Sequence, residues 1–164
     1  DNSIYNIIRY TFKCVTQIST SRELNRVSPN NIAEQSTRYV YEDGTICKPW
    51  WLTDKEVDIF NTDDDKGVNN KELPLVAFLY LSECEDAFRR YKLLVDYCLD
   101  KQDARGILPI DTATVCAYTY SGYEWKHILD LRYRGTTGKP QPNAYIIAKM
   151  ISNKLSQLTN NIIF

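Results

Sequence analysis

From Ile8 to Thr16 apolar and polar positions alternate. Ile8, Tyr10, Phe12 and Cys14 fall on one face and Arg9, Thr11 and Lys13 on the other, the period of a half-buried strand. Ser19-Thr20-Ser21 then offers helix N-cap side chains, with Glu23 and Leu24 inside the first turn of a short helix. Pro29 with Asn30-Asn31 ends that helix. Arg38 to Tyr41 reads as a second strand, turning at Glu42-Asp43-Gly44 into a hairpin partner over Thr45 to Trp51. Asn61 to Lys71 is a polar surface loop. After Pro74 the spacing of Val76, Leu79, Tyr80, Ala87, Tyr91, Leu94 and Val95 predicts one long helix running to about Lys101.

Thr112 to Tyr120 alternates again, with Ala113, Val115 and Ala117 against Thr114, Cys116 and Tyr118, and predicts another strand. A helix from Gly122 through Trp125, Ile128, Leu129 and Leu131 to Arg132 follows, then a loop over Arg134 to Pro142. An amphipathic helix over Ala144 to Leu158 closes the chain. This order predicts an α+β domain: a small mixed, mainly antiparallel sheet flanked by helices, one of them long. No repeat or linker interrupts residues 1–164, so one domain is expected. The chain starts at Asp1, without methionine, in what reads as a packed segment. It is expected to lack its natural N-terminal segment.

One stretch breaks the apolar rhythm. Arg22 to Tyr39 holds three arginines, two glutamates, two serines and three asparagines, yet apolar segments flank it on both sides. Polar groups held beside a core need partners. Two kinds fit: each other, as internal ion pairs, or an anionic ligand gripped by arginine forks. Other polar residues fall at the ends of predicted elements, where sites are usually built. Arg105 and Arg132 each suit either a helix C-terminus or a ligand. His127, beside Ile128, suits a structural histidine as well as a binding one.

Composition narrows the chemistry. With 164 residues and a formal net charge of −1, nothing draws the chain as a whole to nucleic acid. No run of about eighteen apolar residues predicts a membrane span, and no signal peptide is visible. Five cysteines without CxxC spacing read as reduced thiols in a cytoplasmic setting. One histidine without a Cys/His cluster argues against a zinc site. Asp63-Asp64-Asp65 lacks the ligand alternation of a calcium loop, so no metal is expected. Gly135-Thr-Thr-Gly138 is not a P-loop, and one histidine gives no Ser-His-Asp order. A chemistry of positioning, with a bound cofactor, is left.

Three segments in order carry a resemblance. Tyr10-Thr-Phe-Lys-Cys-Val-Thr16, Ser21-Arg-Glu-Leu-Asn-Arg26 and Ala33-Glu-Gln-Ser-Thr-Arg-Tyr-Val40 resemble the signature region of flavin-dependent thymidylate synthases. Ala104-Arg-Gly-Ile-Leu-Pro109 is similar to that family's AR-x-x-LP element, and Tyr123-Glu-Trp-Lys-His-Ile-Leu-Asp-Leu-Arg132 to its W-x-x-F-x-x-LR helix. The resemblance runs along essentially the whole chain and is weakest over Asp54 to Lys71 and after Arg134. It implies a homotetramer with shared active sites that methylates dUMP to dTMP. Methylenetetrahydrofolate would give the carbon, FAD would carry the hydride, and NADPH would reduce the flavin.

Position by position, the resemblance matches Arg132 to the arginine at the uracil edge, the one catalytic assignment. It places Glu23, Arg26, Glu34, Gln35, Ser36, Thr37, Arg38 and Arg105 around the nucleotide. On the flavin side it places Arg26, Glu34, Ser121 and His127. The family's Arg-His-Arg appears here as Arg26-Val27-Ser28. Valine cannot donate a hydrogen bond and serine lacks a cationic fork, and such a lost charged contact costs roughly 1.5–3 kcal/mol. Two alternatives therefore stand beside the synthase: a relative that binds a pyrimidine nucleotide with weakened or altered flavin chemistry, and an interaction module whose polar stretch only makes ion pairs.

Overall fold

The structure, a computed structural model, describes residues 2–27, 31–62 and 72–160. The chain divides into two compact units, Asp1–Gln35 with Thr114–Phe164, and Ser36–Ala113. The backbone leaves the first unit after Gln35 and re-enters it at Thr114.

In the first unit a 3-10 turn at Asn2–Asn6 leads into strand β1, Arg9–Gln17, and helix α1, Ile18–Leu24. β1 turns Tyr10, Phe12 and Cys14 towards the core and Arg9, Thr11 and Lys13 to solvent, as the alternation predicts. Gln17, and none of the serines and threonines expected there, is the N-cap of α1, and its side chain makes no capping bond. It accepts instead from Thr20 Oγ1 at 2.7 Å and Thr16 Oγ1 at 3.2 Å. Strand β2, Ile32–Glu34, lies inside the polar stretch, and strand β3, Ala113–Ser121, joins both in a three-stranded sheet of order β1-β3-β2. β2 runs antiparallel to β3, pairing Ile32 with Tyr118, Ala33 with Ala117 and Glu34 with Cys116.

Of the two faces of β3, the one carrying Thr114, Cys116, Tyr118 and Tyr120 is buried. Helix α5, Gly122–Leu129, follows directly, then a π-helical turn at Asp130–Arg134, and helix α6, Pro142–Leu158, with Pro142 in its first turn and Gln141 as its N-cap. Tyr118, Tyr120, Trp125, Leu129, Ala144, Ile151 and Leu155 form the core with Leu24 and Val27. Trp125 meets Phe12 and Tyr120 edge-on at 5.3 and 5.1 Å, and its Nε1 donates to the Tyr10 carbonyl at 3.0 Å. One side chain thus joins the apolar seam to a strand, giving the indole N–H the partner it needs once buried.

The second unit is helical: α2, Asp54–Thr62; α3, Leu75–Asp96; α4, Lys101–Ala104; and a 3-10 turn, Arg105–Ile107. α2 begins at a reciprocal cap, Thr53 N and Oγ1 both donating to Glu56 Oε2 at 2.7 Å and Glu56 N donating to Thr53 Oγ1 at 3.2 Å. α3 buries Ala77, Leu81, Cys84 and Tyr91 and leaves Val76 and Leu79 exposed, a face rotated from the predicted one. The 4-3 spacing holds, but alanine and cysteine carry it where hydropathy favours valine and leucine. α3 also stops early, because Cys98 takes a left-handed conformation (φ 68°) of the kind glycine usually supplies after a helix.

The predicted hairpin over Arg38–Trp51 is not formed. Ser36 to Val40 curls into a turn in which the N–H groups of Tyr39 and Val40 donate to the Ser36 carbonyl at 3.2 and 3.1 Å, so no strand exists for Thr45–Trp51 to pair with. Ile46 makes an isolated antiparallel bridge to Thr112 instead. The turn at Gly44 is real: its φ is +100°, and Asp43 Oδ1 accepts from Thr45 N at 2.9 Å. Pro29, Asn30 and the Asp63-Asp64-Asp65 run lie outside the described residues, as does most of the predicted loop to Lys71.

α5 is fastened by a capping box. The Glu124 carboxylate accepts from Ser121 N at 2.7 Å and pairs with Arg9 at 3.2 Å, while Glu124 N donates to Ser121 Oγ at 3.3 Å. The Ser121 bonds, with Arg9, hold the Glu124 carboxyl below its ordinary range. A depressed carboxylate contributes stability above its unfolded pKa and loses it as pH falls through the folded value. Urea titrations between neutral and acid pH are expected to show a shallower acid loss of stability for Glu124→Gln than for the natural chain.

Candidate functional site

The first unit brings together four of the predicted residues. Arg26 pairs with Glu23 at 3.2 Å through a guanidinium that is 71% exposed. Arg132 Nε donates to the backbone carbonyl of Glu23 at 2.9 Å. Arg132 lies within the π-helical turn, a departure from regular helix that is frequent at functional sites. The turn ends at Gly135 in the left-handed region (φ +70°), where an added Cβ would come within 2.9 Å of the Gly138 carbonyl and 3.0 Å of Pro140. A side chain at Gly135 would therefore displace the loop that closes behind Arg132. Asp130 pairs with Lys126 at 3.5 Å and also with Arg134, so these two cations share one carboxylate. The Arg132 fork is oriented by a neutral carbonyl and has no carboxylate partner among the described residues.

Glu34, the fourth, is the meeting point of the unit's polar groups. Its carboxylate accepts from Ser21 Oγ at 2.7 Å, Thr114 Oγ1 at 3.3 Å and Asn25 Nδ2 at 3.3 Å. Gln35 continues the β2 edge, its N–H donating to the Val115 carbonyl at 2.8 Å. Ser21, Asn25 and Thr114 were not among the sequence candidates. The signal for Thr114 was the alternation in β3, which puts it on the same face as Cys116 and Tyr118.

The second unit holds the rest of the predicted nucleotide set. Arg105, on its 3-10 turn, donates from Nε to the Gln102 carbonyl at 3.0 Å and from Nη1 to Thr37 Oγ1 at 2.7 Å. Arg38 donates to Gln102 Oε1 at 3.3 Å and lies over the Tyr39 ring at 5.3 Å. Ser36 Oγ accepts from Arg38 N at 3.3 Å. Ser36, Thr37, Arg38 and Arg105 thus form one polar surface with two guanidinium groups and, among the described residues, no carboxylate paired to either. Gln102 was missed; a glutamine three residues before Arg105 in a short helix was its only trace.

Of the residues matched to a flavin, His127 on α5 and Arg26 present exposed side chains and suit the anionic part of such a group. Ser121 does not add to them, since it is buried and its hydroxyl caps α5. Glu34 is engaged as described. Val27, where the family carries histidine, is 3% exposed within the core cluster. Ser28 lies outside the described residues.

Burial pushes the Cys14, Cys47 and Cys84 thiols up, and that of Cys116 up to about 11. These thiols stay protonated near neutrality and are poor nucleophiles. The five cysteines are all free. Among the described residues no helix is long and apolar enough to cross a membrane, and no group of three or more His, Cys, Asp or Glu could hold a metal ion.

No curated protein matches the chain in sequence. In structure it is similar to a UMP/dUMP methylase, PolB from Streptomyces cacaoi, solved with 5-Br dUMP: TM-score 0.76 at 22% identity, over 96% of this chain and 70% of that one. The same methylase with 5-Br UMP gives a TM-score of 0.69 at 22% identity, over 96% and 72%. At that identity the likeness speaks for the fold, α+β with a small sheet and one long helix. Residues 1–159 match the family model described as thymidylate synthase complementing protein. The chain belongs to that family, the flavin-dependent thymidylate synthases that its motifs resemble.

Proposed function

We propose that the protein is a pyrimidine-nucleotide methylase that converts dUMP to dTMP, with methylenetetrahydrofolate as carbon donor, FAD as cofactor and NADPH as reductant. The observation that carries this reading is the family match over residues 1–159, which includes every matched motif. The likeness to a methylase of UMP and dUMP supports the same substrate class.

The chain's own chemistry fits the role. Replacing the uracil C5 hydrogen by a methyl group requires an electron-rich ring. Arg132 at the uracil edge would favour negative charge there, as a fixed cation does in a water-poor site. A phosphate dianion suits the second unit's surface, where Arg38 and Arg105 stand beside the hydroxyls of Ser36 and Thr37. Glu23, Glu34 and Gln35 would orient the nucleotide, and Arg26 would serve both nucleotide and flavin. Burial keeps the thiols of Cys14, Cys47, Cys84 and Cys116 protonated, and the pyrimidine would be activated by charge and position. FAD, held by Arg26 and His127, would supply the hydride that brings the transferred carbon to the methyl level. The proposed assembly is a homotetramer with shared active sites, and five unpaired thiols suit the cytoplasm.

Val27 favours a second reading, a relative that keeps the nucleotide but has weakened or altered flavin chemistry. A buried valine removes a contact that the family's histidine would make.

Three outcomes are expected. By calorimetry, Arg105→Ala and Arg132→Ala each weaken dUMP binding by about ten- to a hundredfold, the worth of a charge-assisted contact; unchanged affinity in both would contradict the nucleotide assignment. The gently purified protein, or protein given FAD, shows the flavin absorbance band. Val27→His does not strengthen FAD binding and instead lowers stability in urea by roughly 1–3 kcal/mol, because it buries a polar ring among apolar neighbours. Tighter FAD binding by that variant would show that position 27 reaches the cofactor.

A further inference from the structure

The second unit contains a pocket of about 650 Å³, within the range of about 300–1,000 Å³ usual for small-molecule sites. None of Ser36, Thr37, Arg38 or Arg105 lines it. Aromatic and aliphatic side chains form part of its wall. Tyr41 is braced by the fully buried Tyr91 ring at 5.5 Å, Phe60 is seated against Phe78 at 6.5 Å, and Phe88 and Leu81 come from α3.

Among those walls lies Glu42. It is 6% exposed, and its Oε1 has no hydrogen-bond partner among the described residues. A buried carboxyl oxygen left unpaired costs about 1–3 kcal/mol or more, and a native structure rarely leaves one without use. Burial, then the neighbouring Asp43, pushes the Glu42 carboxyl up from its ordinary value, which marks how little around it compensates its charge.

The other charges in the pocket select the partner. Asp43 and Glu85 are acidic, against Arg89 and Lys92, and Arg89 is shared with Asp86 at 2.8 Å. Three carboxyl groups facing two cations, one already paired, repel a phosphate or any other polyanion. A neutral or singly positive molecule meets no such penalty. A carboxylate between aromatic walls is best matched by two adjacent N–H groups on a flat ring, which satisfy it in a bidentate pair while the ring stacks.

We propose that this pocket is a second ligand site, which binds a small planar heterocyclic amine or amidine through Glu42, with Tyr41, Phe60 and Phe88 holding the ring. None of the residues proposed to bind the nucleotide is among those lining it, and the inference does not rest on the proposed methylation.

The test uses 2-aminobenzimidazole, which carries two such N–H groups, and benzimidazole, which lacks the amine, titrated calorimetrically into the full chain. The expected result is saturable binding of 2-aminobenzimidazole, at least about tenfold tighter than benzimidazole, with that advantage lost in Glu42→Leu. Glu42→Gln provides the same comparison if the leucine variant does not fold: its NH2 opposes the ligand's own donors, and about a tenfold loss is expected. Equal affinity for the two probes, equal affinity of the natural chain and a folded Glu42 variant, or no saturation by about 1 mM would overturn the proposal.

Discussion

The carboxylate of Glu34 holds the first unit's polar architecture together. Ser21 reaches it from α1, Asn25 from the end of that helix, and Thr114 from β3, while Glu34 itself ends β2. A carboxylate accepts up to about four hydrogen bonds, and here three donors from three elements share one. The strand β2 has only three residues, too few to be stable by its ladder alone. It stands because one of its residues is a polar anchor. The same arrangement explains how so polar a segment lies against an apolar core: its partners are built into the sheet and the helix beside it.

The candidate residues fall into two groups, one in each unit. In the first, the Glu23 carbonyl aims Arg132, which has no carboxylate partner among the described residues. In the second, the chain after Gln35 runs through Ser36, Thr37 and Arg38, where the backbone curls into a turn and Arg105 meets Thr37. Of the two readings left open for the polar stretch, internal pairing is seen directly. Glu23 with Arg26 and Glu34 with its three donors are internal pairs; Arg38, Arg105 and Arg132 have neutral partners only, among the described residues. Cations held by neutral groups are the ones available to an anionic, hydrogen-bonding ligand.

Much of this was legible in the sequence, because alternation and helical spacing report burial directly. The strand of Tyr10, Phe12 and Cys14, the strand around Cys116, the helix of Trp125 and the closing helix all stand close to where their patterns predicted. The failures share a cause: signals too short or too polar to register. β2 was hidden by its polar surroundings, α2 needed the Thr53 to Glu56 capping box to be noticed, and the strand expected at Arg38–Tyr41 had aromatic residues but no partner. The face of α3 was misjudged because small Ala77 and Cys84 mark it. For the site, the motifs gave the residue types but not their holders, since the contacts of Glu34 and Arg132 come from residues far apart in the chain or from a backbone carbonyl. Val27 shows the reverse case, a substitution visible in the sequence whose meaning, withdrawal into the core, is visible only in the fold.

The central claim is that this chain directs substitution at C5 of a uridylate ring. The most direct measurement is release of tritium to water from dUMP labelled at C5, with methylenetetrahydrofolate, FAD and NADPH present, because it reports any replacement of that hydrogen. The account predicts tritium release matched by formation of dTMP, and abolished in Arg132→Ala. No release from dUMP by a folded protein that binds both nucleotide and flavin would contradict it.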